Sequence, residues 1–175
     1  STGDPKGVVL THKNIMSNVK GLIQSIKFRK KNSNFLSVTP LYHNNGQFIP
    51  TLIPLVLGHS TTTIKPLSGL LQFIKVLKKF KINYTSVMAT HINYLISIKK
   101  KYKLDTLKEI YCGGAKLDPN TQKIFEKKYK VKILANYGLT ECSSIASTET
   151  GKVRKLGSVG KPLDNNLIKI SKKKN

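Results

Sequence analysis

The stretch VKILANYGLTE, residues 131–141, joins an apolar run to a short polar loop. Its first six residues are mostly aliphatic, which predicts a buried strand. The loop that follows carries an aromatic ring on Tyr137, a hydroxyl on Thr140 and a carboxylate on Glu141. Together these groups can hold a purine, a phosphate and a Mg²⁺ ion. A strand that ends in such a loop predicts a ligand site at the carboxyl edge of a sheet.

Outward from this stretch, short apolar runs alternate with amphipathic stretches of helical length. The predicted strands are Val8–Thr11, Phe35–Val38, Ser60–Ile64, Tyr84–Val87, Leu107–Cys112, Val131–Asn136 and Leu167–Ser171. The predicted helices are His12–Phe28, a mixed segment Gln47–Leu57 interrupted by Pro50 and Pro54, Gly69–Phe80, Thr90–Lys99 capped by Thr90, and Pro119–Lys128 capped by Asp118. This alternation predicts one α/β domain with βαβ units and a largely parallel, layered sheet.

The chain is strongly basic, with 31 lysine and arginine residues against eight acidic ones and a formal net charge of +23. Only Arg29 and Arg154 are arginines, whereas planar recognition of bases and phosphates favours arginine. Three readings stay open: solvated lysines that reflect biased base composition, attraction of anionic substrates, and a surface for nucleic acid or an anionic membrane. We expect no dedicated nucleic-acid partner and keep peripheral membrane contact through the lysines as an alternative.

The cysteine content and hydropathy limit the class of protein. Cys112 and Cys142 are too few for a disulfide framework or a cysteine-rich metal site, which favours reduced thiols in the cytoplasm. No apolar run is long enough for a spanning helix, and the start of the chain, at Ser1, has no signal-peptide pattern.

Four further segments carry turn residues or groups suited to ligands. The opening stretch, residues 1–7, combines hydroxyls, glycines and one lysine, as in a loop around phosphates. Residues 40–46 place His43 directly after a strand, where it can contact a carboxylate. Residues 112–117 contain paired glycines on which a ring can pack, and residues 157–162 form another turn-rich segment. Each segment taken alone is also compatible with an ordinary turn.

In order and spacing, the five segments together resemble the adenylate-forming superfamily of acyl-CoA synthetases, luciferases and peptide-synthetase adenylation domains. Residues 1–7 resemble the end of its phosphate loop, and residues 40–46 its Pro-Leu-Phe-His-x-x-Gly segment. Residues 113–115 resemble its Gly-Gly-Ala turn, residues 137–141 match Tyr-Gly-x-Thr-Glu, and residues 157–162 fit Gly-x-x-Gly-x-Pro. The resemblance covers essentially all of the chain.

The resemblance implies ATP, Mg²⁺ and coenzyme A as cofactors and a carboxylic acid as substrate. The acid attacks the α-phosphate of ATP to give an acyl-adenylate and pyrophosphate, and a thiol then displaces AMP. The residues that it implies in nucleotide binding are Ser1, Thr2, Gly3, Lys6, Gly114, Ala115, Asn136, Tyr137, Gly138 and Thr140. Among these, the first four would hold the β- and γ-phosphates, Tyr137 would stack on adenine, and Thr140 would bond the α-phosphate.

The catalytic residues implied by the resemblance are Lys6, His43, Thr140 and Glu141. Glu141 would bind the Mg²⁺ ion, and His43 would lie beside the acyl carboxylate. Many relatives carry Asn, Asp or Gln two residues before the motif tyrosine, where this chain has Ala135. Either backbone groups or Asn136, one position later, would then contact the adenine amino group.

The resemblance also implies that residues 1–175 are the central part of the adenylation domain. The preceding part, the aspartate that binds ribose, and the C-terminal lid domain with its lysine would lie outside the chain. We therefore expect little or no activity from the chain alone. Small and apolar residues near Ser143–Ala146 favour a fatty or other aliphatic acid. The alternatives are an enzyme that loads a carrier-protein phosphopantetheine and a catalytically dead ATP- or AMP-binding module.

Overall fold

A computed structural model of the chain describes residues 4, 6–28, 32–65, 70–151 and 154–171. Within these residues, seven strands form one sheet: β1 (Asn34–Ser37), β2 (Ser60–Thr63), β3 (Tyr84–Val87), β4 (Glu109–Cys112), β5 (Lys132–Gly138), β6 (Ile145–Thr148) and β7 (Lys161–Pro162). The α-helices are α1 (His12–Ile26), α2 (Asn44–Gln47), α3 (Ile53–Leu57), α4 (Leu70–Lys79), α5 (Ala89–Ser97) and α6 (Pro119–Tyr129). A π-helical turn, Phe48–Leu52, joins α2 to α3, and a 3₁₀ turn, Thr140–Cys142, follows β5.

The strand order is β2-β1-β3-β4-β5-β6-β7. The first five strands pair in parallel, and β6 and β7 pair antiparallel at the β5 edge. The predicted α/β class and the parallel sheet are confirmed. All loops that follow β1, β3, β4 and β5 therefore leave from the same edge of the sheet, where ligands bind in open parallel sheets.

Helices cover both faces of the sheet, so each central strand is buried on both sides. One face carries α4, α5 and α6, with a core that includes Leu77, Leu95 and Phe125. The other face carries α1 and the π-helical segment, with a core that includes Leu22 and Phe48. Successive strand residues contribute to opposite cores, which fixes the face on which each site residue lies.

The predicted strand Val8–Thr11 is wrong. Residues 8–11 form no strand, and Val9 is 94% exposed. Thr11 instead caps α1: its hydroxyl accepts from the Asn14 amide N–H at 3.1 Å, and the Asn14 side chain accepts from the Thr11 N–H at 3.0 Å. These two reciprocal bonds satisfy N–H groups at the start of the helix that have no partner within it. Thr11 therefore caps the start of α1, although the β-branched residues before it favour a strand.

The C-terminal prediction and one helix cap also need correction. Residues 167–171 form no strand, and Leu167 is 98% exposed, because no strand in the described part of the chain pairs with them. Strands β6 and β7 were not predicted, since their small and polar residues lack a strong strand pattern. Helix α5 begins at Ala89, before Thr90, and His91 Nδ1 accepts from the Met88 N–H at 3.3 Å.

The segment from α2 to α3 shows how proline shapes the edge of the site. Pro50 lacks the N–H that would bond the Gly46 carbonyl in an α-helix. The Thr51 hydroxyl donates to that carbonyl at 2.8 Å and the Ser37 hydroxyl at 3.3 Å, while the backbone widens into the π-helical turn. These bonds hold α2 against the end of β1.

Glu149 and Glu126 accept hydrogen bonds from backbone N–H groups on the edge of β5 that has no strand partner there among the described residues. The fully buried Glu149 carboxylate accepts from the Ala135 N–H at 3.0 Å and from the Lys155 N–H at 2.9 Å. Glu126 accepts from the Ile133 N–H at 2.8 Å, and Arg154 pairs with Glu126 and lies 3.9 Å from Glu149. Because alternate N–H groups of a strand face the same edge, the two carboxylates replace a missing strand partner.

Replacing Glu149 by alanine leaves the buried Ala135 N–H and the Lys155 N–H without their acceptor. We expect Glu149→Ala to lower the free energy of unfolding by about 3 kcal/mol. Glu141→Ala removes an exposed carboxylate and serves as the control, with an expected change within about 0.5 kcal/mol. Denaturant titration of both variants measures the difference, and equal losses would contradict this account.

Candidate active site

Two adjoining clefts lie at the carboxyl edge of the sheet. The first has a volume of about 330 Å³ and is lined by Cys112, Ala115, Leu117, Ala135, Tyr137 and Val159, among others. The second has a volume of about 360 Å³ and is lined by Tyr42, His43, Asn45, Thr140, Ser144 and Ile145, among others. Gly114, Asn136 and Gly138 line both clefts and form the wall that they share. Four of the five predicted segments therefore meet at one place.

Tyr137 and the glycine turn give the first cleft a flat wall. Tyr137 follows the buried part of β5 and is 51% exposed, so its ring is open to a ligand. Gly114 has φ = 82°, which glycine adopts without strain. A planar ring fits between such a turn and a tyrosine face, since aromatic stacking needs flat surfaces.

His43 is fixed in one orientation at the mouth of the second cleft. Its Nδ1 accepts from the Asn45 N–H at 3.1 Å, and the side chain thereby caps α2. In the neutral imidazole the other ring nitrogen, Nε2, then carries the proton and can donate. The side chain is exposed, so a ligand oxygen can reach it.

Thr140 and Glu141 lie in the 3₁₀ turn after β5. The Thr140 hydroxyl lines the second cleft and accepts from Asn44 Nδ2 at 3.3 Å, which links the loops after β1 and β5. Glu141 is exposed and lines neither cleft. In the described parts of the chain, no three His, Cys, Asp or Glu side chains are grouped so that they could hold a metal ion.

The predicted phosphate loop is only partly described. Ser1, Thr2 and Gly3 lie outside the described residues. Lys6 is exposed and does not line either cleft. The assignments of these four residues to phosphate binding therefore stay predictions.

Sequence reasoning missed Asn18, which positions the loop after β5. This buried amide on α1 donates to the Ile145 carbonyl at 2.7 Å and to the Cys142 carbonyl at 3.4 Å. It also accepts from the Ile145 N–H at 3.4 Å. A polar residue within the apolar stripe of α1 was the available signal, because buried amides need partners.

Gly138 and Gly113 are approached closely by neighbouring parts of the chain. A Cβ on Gly138 would overlap the Ser144 carbonyl oxygen, and a Cβ on Gly113 would overlap the Asn136 side chain. The β5–β6 pairing shifts register between Tyr137 and Gly138, which turns the chain toward the 3₁₀ helix. The glycines therefore allow β5 to approach its neighbours closely.

Burial controls the chemistry of the Cys112 thiol. It is 1% exposed at the end of β4, and burial raises the pKa of Cys112 from 9.0 to about 12. Burial also raises the pKa of Tyr111 well above its usual value, and the nearby Glu109 carboxylate adds to the effect while accepting from the Tyr111 hydroxyl at 2.7 Å. Cys112 is thus a neutral wall of the first cleft and a poor nucleophile.

The comparison with known families decides the class of protein. The sequence model described as AMP-binding enzyme matches residues 1–175. The chain belongs to the AMP-binding enzyme family. This AMP-binding chain is 33% identical over 169 residues to the "4-coumarate--CoA ligase-like 8" of Arabidopsis thaliana. It is 30% identical over 179 residues to the "Long-chain-fatty-acid--CoA ligase" of Haemophilus influenzae.

These alignments cover 91% and 98% of the AMP-binding chain but 30% and 32% of the two relatives. The chain thus spans about a third of the length of the curated relatives that it matches.

Solved structures share the fold of this AMP-binding chain. The o-succinylbenzoate CoA synthetase MenE of Bacillus subtilis, in complex with its acyl-adenylate intermediate, aligns with a TM-score of 0.87 at 22% identity. That alignment covers 98% of this chain and 35% of MenE. ATP-bound MatB from Rhodopseudomonas palustris aligns with a TM-score of 0.82 at 22% identity, covering 93% of this chain and 32% of MatB.

Gly138→Ala tests the close approach of β5 to the following strand. Because the new methyl group would overlap the Ser144 carbonyl, we expect a loss of about 2 kcal/mol in the free energy of unfolding. Gly151→Ala is the matched control, since a Cβ there lies 3.4 Å from the Glu109 side chain, an ordinary contact. Thermal or denaturant unfolding compares the variants, and a larger loss in the control would refute this interpretation.

The raised pKa of Cys112 predicts a loss of stability at alkaline pH. The folded state favours the neutral thiol, so its contribution is complete below pH 9.0 and is lost as the pH rises toward about 12. Over this range we expect wild-type stability to fall more steeply than that of Cys112→Ala, by up to about 1.4 kcal/mol per pH unit. Urea unfolding at several pH values measures both slopes, and parallel slopes would disprove the assignment.

Proposed function

We propose that the full-length protein containing this chain is an AMP-forming acid–thiol ligase. It activates a carboxylic acid with ATP to an acyl-adenylate and then transfers the acyl group to coenzyme A, releasing pyrophosphate and AMP. The membership of the AMP-binding enzyme family and the CoA-ligase names of its relatives support this proposal.

The observation that carries the proposal is the wall shared by the two clefts. One cleft presents Tyr137 beside a glycine turn, and the other presents His43 and Thr140. A mixed anhydride of AMP and an acid has an aromatic base at one end and an acyl group at the other. Two clefts that meet at Gly114 and Gly138 suit such a molecule, with its reacting phosphate at the junction.

The first cleft takes the adenosine end in this proposal. Tyr137 stacks on the adenine ring, and the turn of Gly114 and Ala115 lines its other face. Gly138, which borders both clefts, allows the nucleotide to approach the backbone, and Asn136 lies in the wall beside it. Ala135 presents no polar side-chain group, so backbone groups are left to contact the adenine amino group.

The phosphates lie toward the loop after β5. Thr140 donates its hydroxyl proton to the α-phosphate, while its oxygen still accepts from Asn44 Nδ2. Ser1, Thr2, Gly3 and Lys6 are assigned to the β- and γ-phosphates on the sequence motif.

Glu141 would hold Mg²⁺ beside Thr140. A single exposed carboxylate fits this ion, because Mg²⁺ is commonly bound by one or two carboxylates together with substrate phosphates and water. When bound, the ion would offset the charge on the phosphate oxygens.

The second cleft takes the acid. His43 lines this cleft, and its Nε2 can donate to the substrate carboxylate because Nδ1 accepts from the Asn45 N–H. A carboxylate oxygen attacks the α-phosphorus, the bond to the bridging oxygen breaks, and pyrophosphate leaves with the electron pair. The thiol sulfur then attacks the acyl carbon, its proton is lost, and AMP leaves. Positioning dominates both steps.

The acid is proposed to be a fatty or other aliphatic carboxylic acid. Ser144, Ile145 and Ala146 are buried, and the first two line the second cleft with small and apolar surface. An acyl chain gains free energy by leaving water for such a surface.

The extent of the chain is part of the proposal. We assign residues 1–175 to the central part of the adenylation domain, with the lid domain and its lysine supplied by other parts of the protein. On this assignment the chain alone has little activity.

No helix in the described residues is both long and apolar enough to cross a membrane. We propose a cytoplasmic enzyme in which Cys112 and Cys142 are reduced. Its lysines attract anionic substrates in this proposal. Peripheral contact of the lysines with an anionic membrane is the alternative. Its partners are then the acid, ATP and coenzyme A, with no dedicated nucleic-acid partner.

Acid-dependent exchange between ATP and pyrophosphate tests the proposal on the full-length protein. We expect exchange with one class of acid and a loss of about 100-fold in Glu141→Gln. Asp105→Asn is the control, because this exposed residue precedes β4 at the opposite edge of the sheet and should keep wild-type exchange.

Adding coenzyme A then separates thioester synthesis from the loading of a carrier-protein phosphopantetheine. Formation of acyl-CoA supports the ligase, and transfer only to a carrier protein supports the alternative. If the protein binds ATP but shows no exchange with any acid, the proposed ligase activity is contradicted, and a catalytically dead binding module is favoured.

A further inference from the structure

Asn136 has a buried donor that the fold does not use. Its Nδ2 atom is shielded from solvent and has no hydrogen-bond partner among the residues that the structure describes. A buried amide group without a partner is costly, so a native protein normally supplies an acceptor. Because Asn136 lines both clefts, that acceptor can come from a ligand.

The alternation of β5 places the Asn136 side chain on the side of the second cleft. Leu134, two residues earlier, belongs to the core shared with α1 and Ile145. Residues two apart on a strand share a face, so Asn136 lies on the same side. Its side chain packs over Gly113, which lies two residues after Tyr111, another member of that core. The first cleft instead borders the opposite core through Cys112 and Leu117.

The Asn136 amide lies at the floor of the second cleft rather than at its mouth. His43 and Thr140, assigned to the carboxylate and phosphate, are exposed, whereas Asn136 is half-buried and its Nδ2 is shielded from solvent. An acid whose carboxylate is at the mouth therefore extends its acyl group toward this amide.

The other polar groups of the cleft determine which acceptor fits. Asn45 is already engaged: its Oδ1 accepts from the Ser86 hydroxyl, and its Nδ2 donates to the Val87 carbonyl at 3.4 Å. No lysine, arginine or carboxylate lines the second cleft in the described part of the chain. A second carboxylate on the substrate would find no cation there, so the site fits a neutral oxygen.

We propose that Asn136 is a specificity-determining residue that selects acids with a neutral acceptor oxygen, such as a keto, ether or hydroxyl group, in the acyl part. This inference rests on the proposed function and narrows its substrate from aliphatic acids in general to oxygenated ones. A plain hydrocarbon chain leaves the Asn136 donor unpaired, and an acid with the oxygen in place restores the bond. Because a buried donor without an acceptor is costly, the site discriminates against the hydrocarbon acid.

The test compares matched acids in ATP–pyrophosphate exchange with the full-length protein. The probes are octanoate, the eight-carbon acids with one keto oxygen at successive carbons, and phenylpropanoate with its 4-hydroxy form. We expect kcat/KM to favour an oxygenated acid by roughly tenfold over its hydrocarbon match. Asn136→Leu, which keeps a branched side chain without the donor, should abolish this preference.

Asn136→Ala provides a second variant in case leucine disturbs folding. It should also lose the preference and should accept bulkier hydrocarbon acids, since the space over Gly113 opens. Asn93→Leu on the exposed side of α5 is the matched control and should keep the wild-type preference.

The outcomes separate this inference from the proposed function. Absence of exchange with every acid counts against the proposed function itself. Exchange with equal kcat/KM for hydrocarbon and oxygenated acids overturns the role of Asn136. If Asn136→Leu raises the KM for ATP but retains the acid preference, the Asn136 donor contacts adenine instead. That result would also overturn the proposed role of Asn136 in selecting the acid.

Discussion

The buried Glu149 carboxylate is the interaction on which the geometry of the site depends. It accepts from the N–H groups of Ala135 in β5 and of Lys155, and so joins the strand to that segment. Glu126 accepts from the N–H of Ile133, two residues earlier in the same strand. A strand edge without a partner leaves N–H groups open and its path poorly fixed. Here two carboxylates and Arg154 fill that edge, so β5 leaves the parallel sheet in a defined direction. Tyr137 and Thr140, which follow on the same strand and turn, inherit their positions from it.

The site is then assembled from loops that meet at one edge and are joined by few but specific bonds. Asn44 links the loop after β1 to Thr140, and Asn18 holds the turn that follows. The side chains proposed to contact a ligand, among them His43, Tyr137 and Thr140, are exposed, whereas Asn18 beneath them is buried. This division gives a rigid support beneath an open surface.

The sequence predicts the central elements well, because their apolar periodicity and caps agree with their packing. The strand Tyr84–Val87 has the predicted bounds, and Asp118 caps α6 by accepting from the Thr121 N–H at 2.7 Å. Val8–Thr11 failed because β-branched residues form a strand only when a partner is available. The roles of Asn18 and Glu149 depend on contacts across more than ten residues of chain, which no local pattern contains. The motifs did predict which loops would meet, since parallel strands place their carboxyl ends together.

The shared wall of Gly114, Asn136 and Gly138 has a consequence for how substrate range can change over evolution. Under the proposed function, a substitution at Gly114 or Gly138 faces both ligands at once, so a gain for one acid would be accompanied by an effect on nucleotide affinity. Tyr42, at the outer rim of the second cleft, borders the acid side alone and is 87% exposed. New acid preferences are therefore most easily acquired where a side chain faces the second cleft alone, as at Tyr42 and in the proposal for Asn136, while Gly114 and Gly138 preserve the chemistry common to all acids.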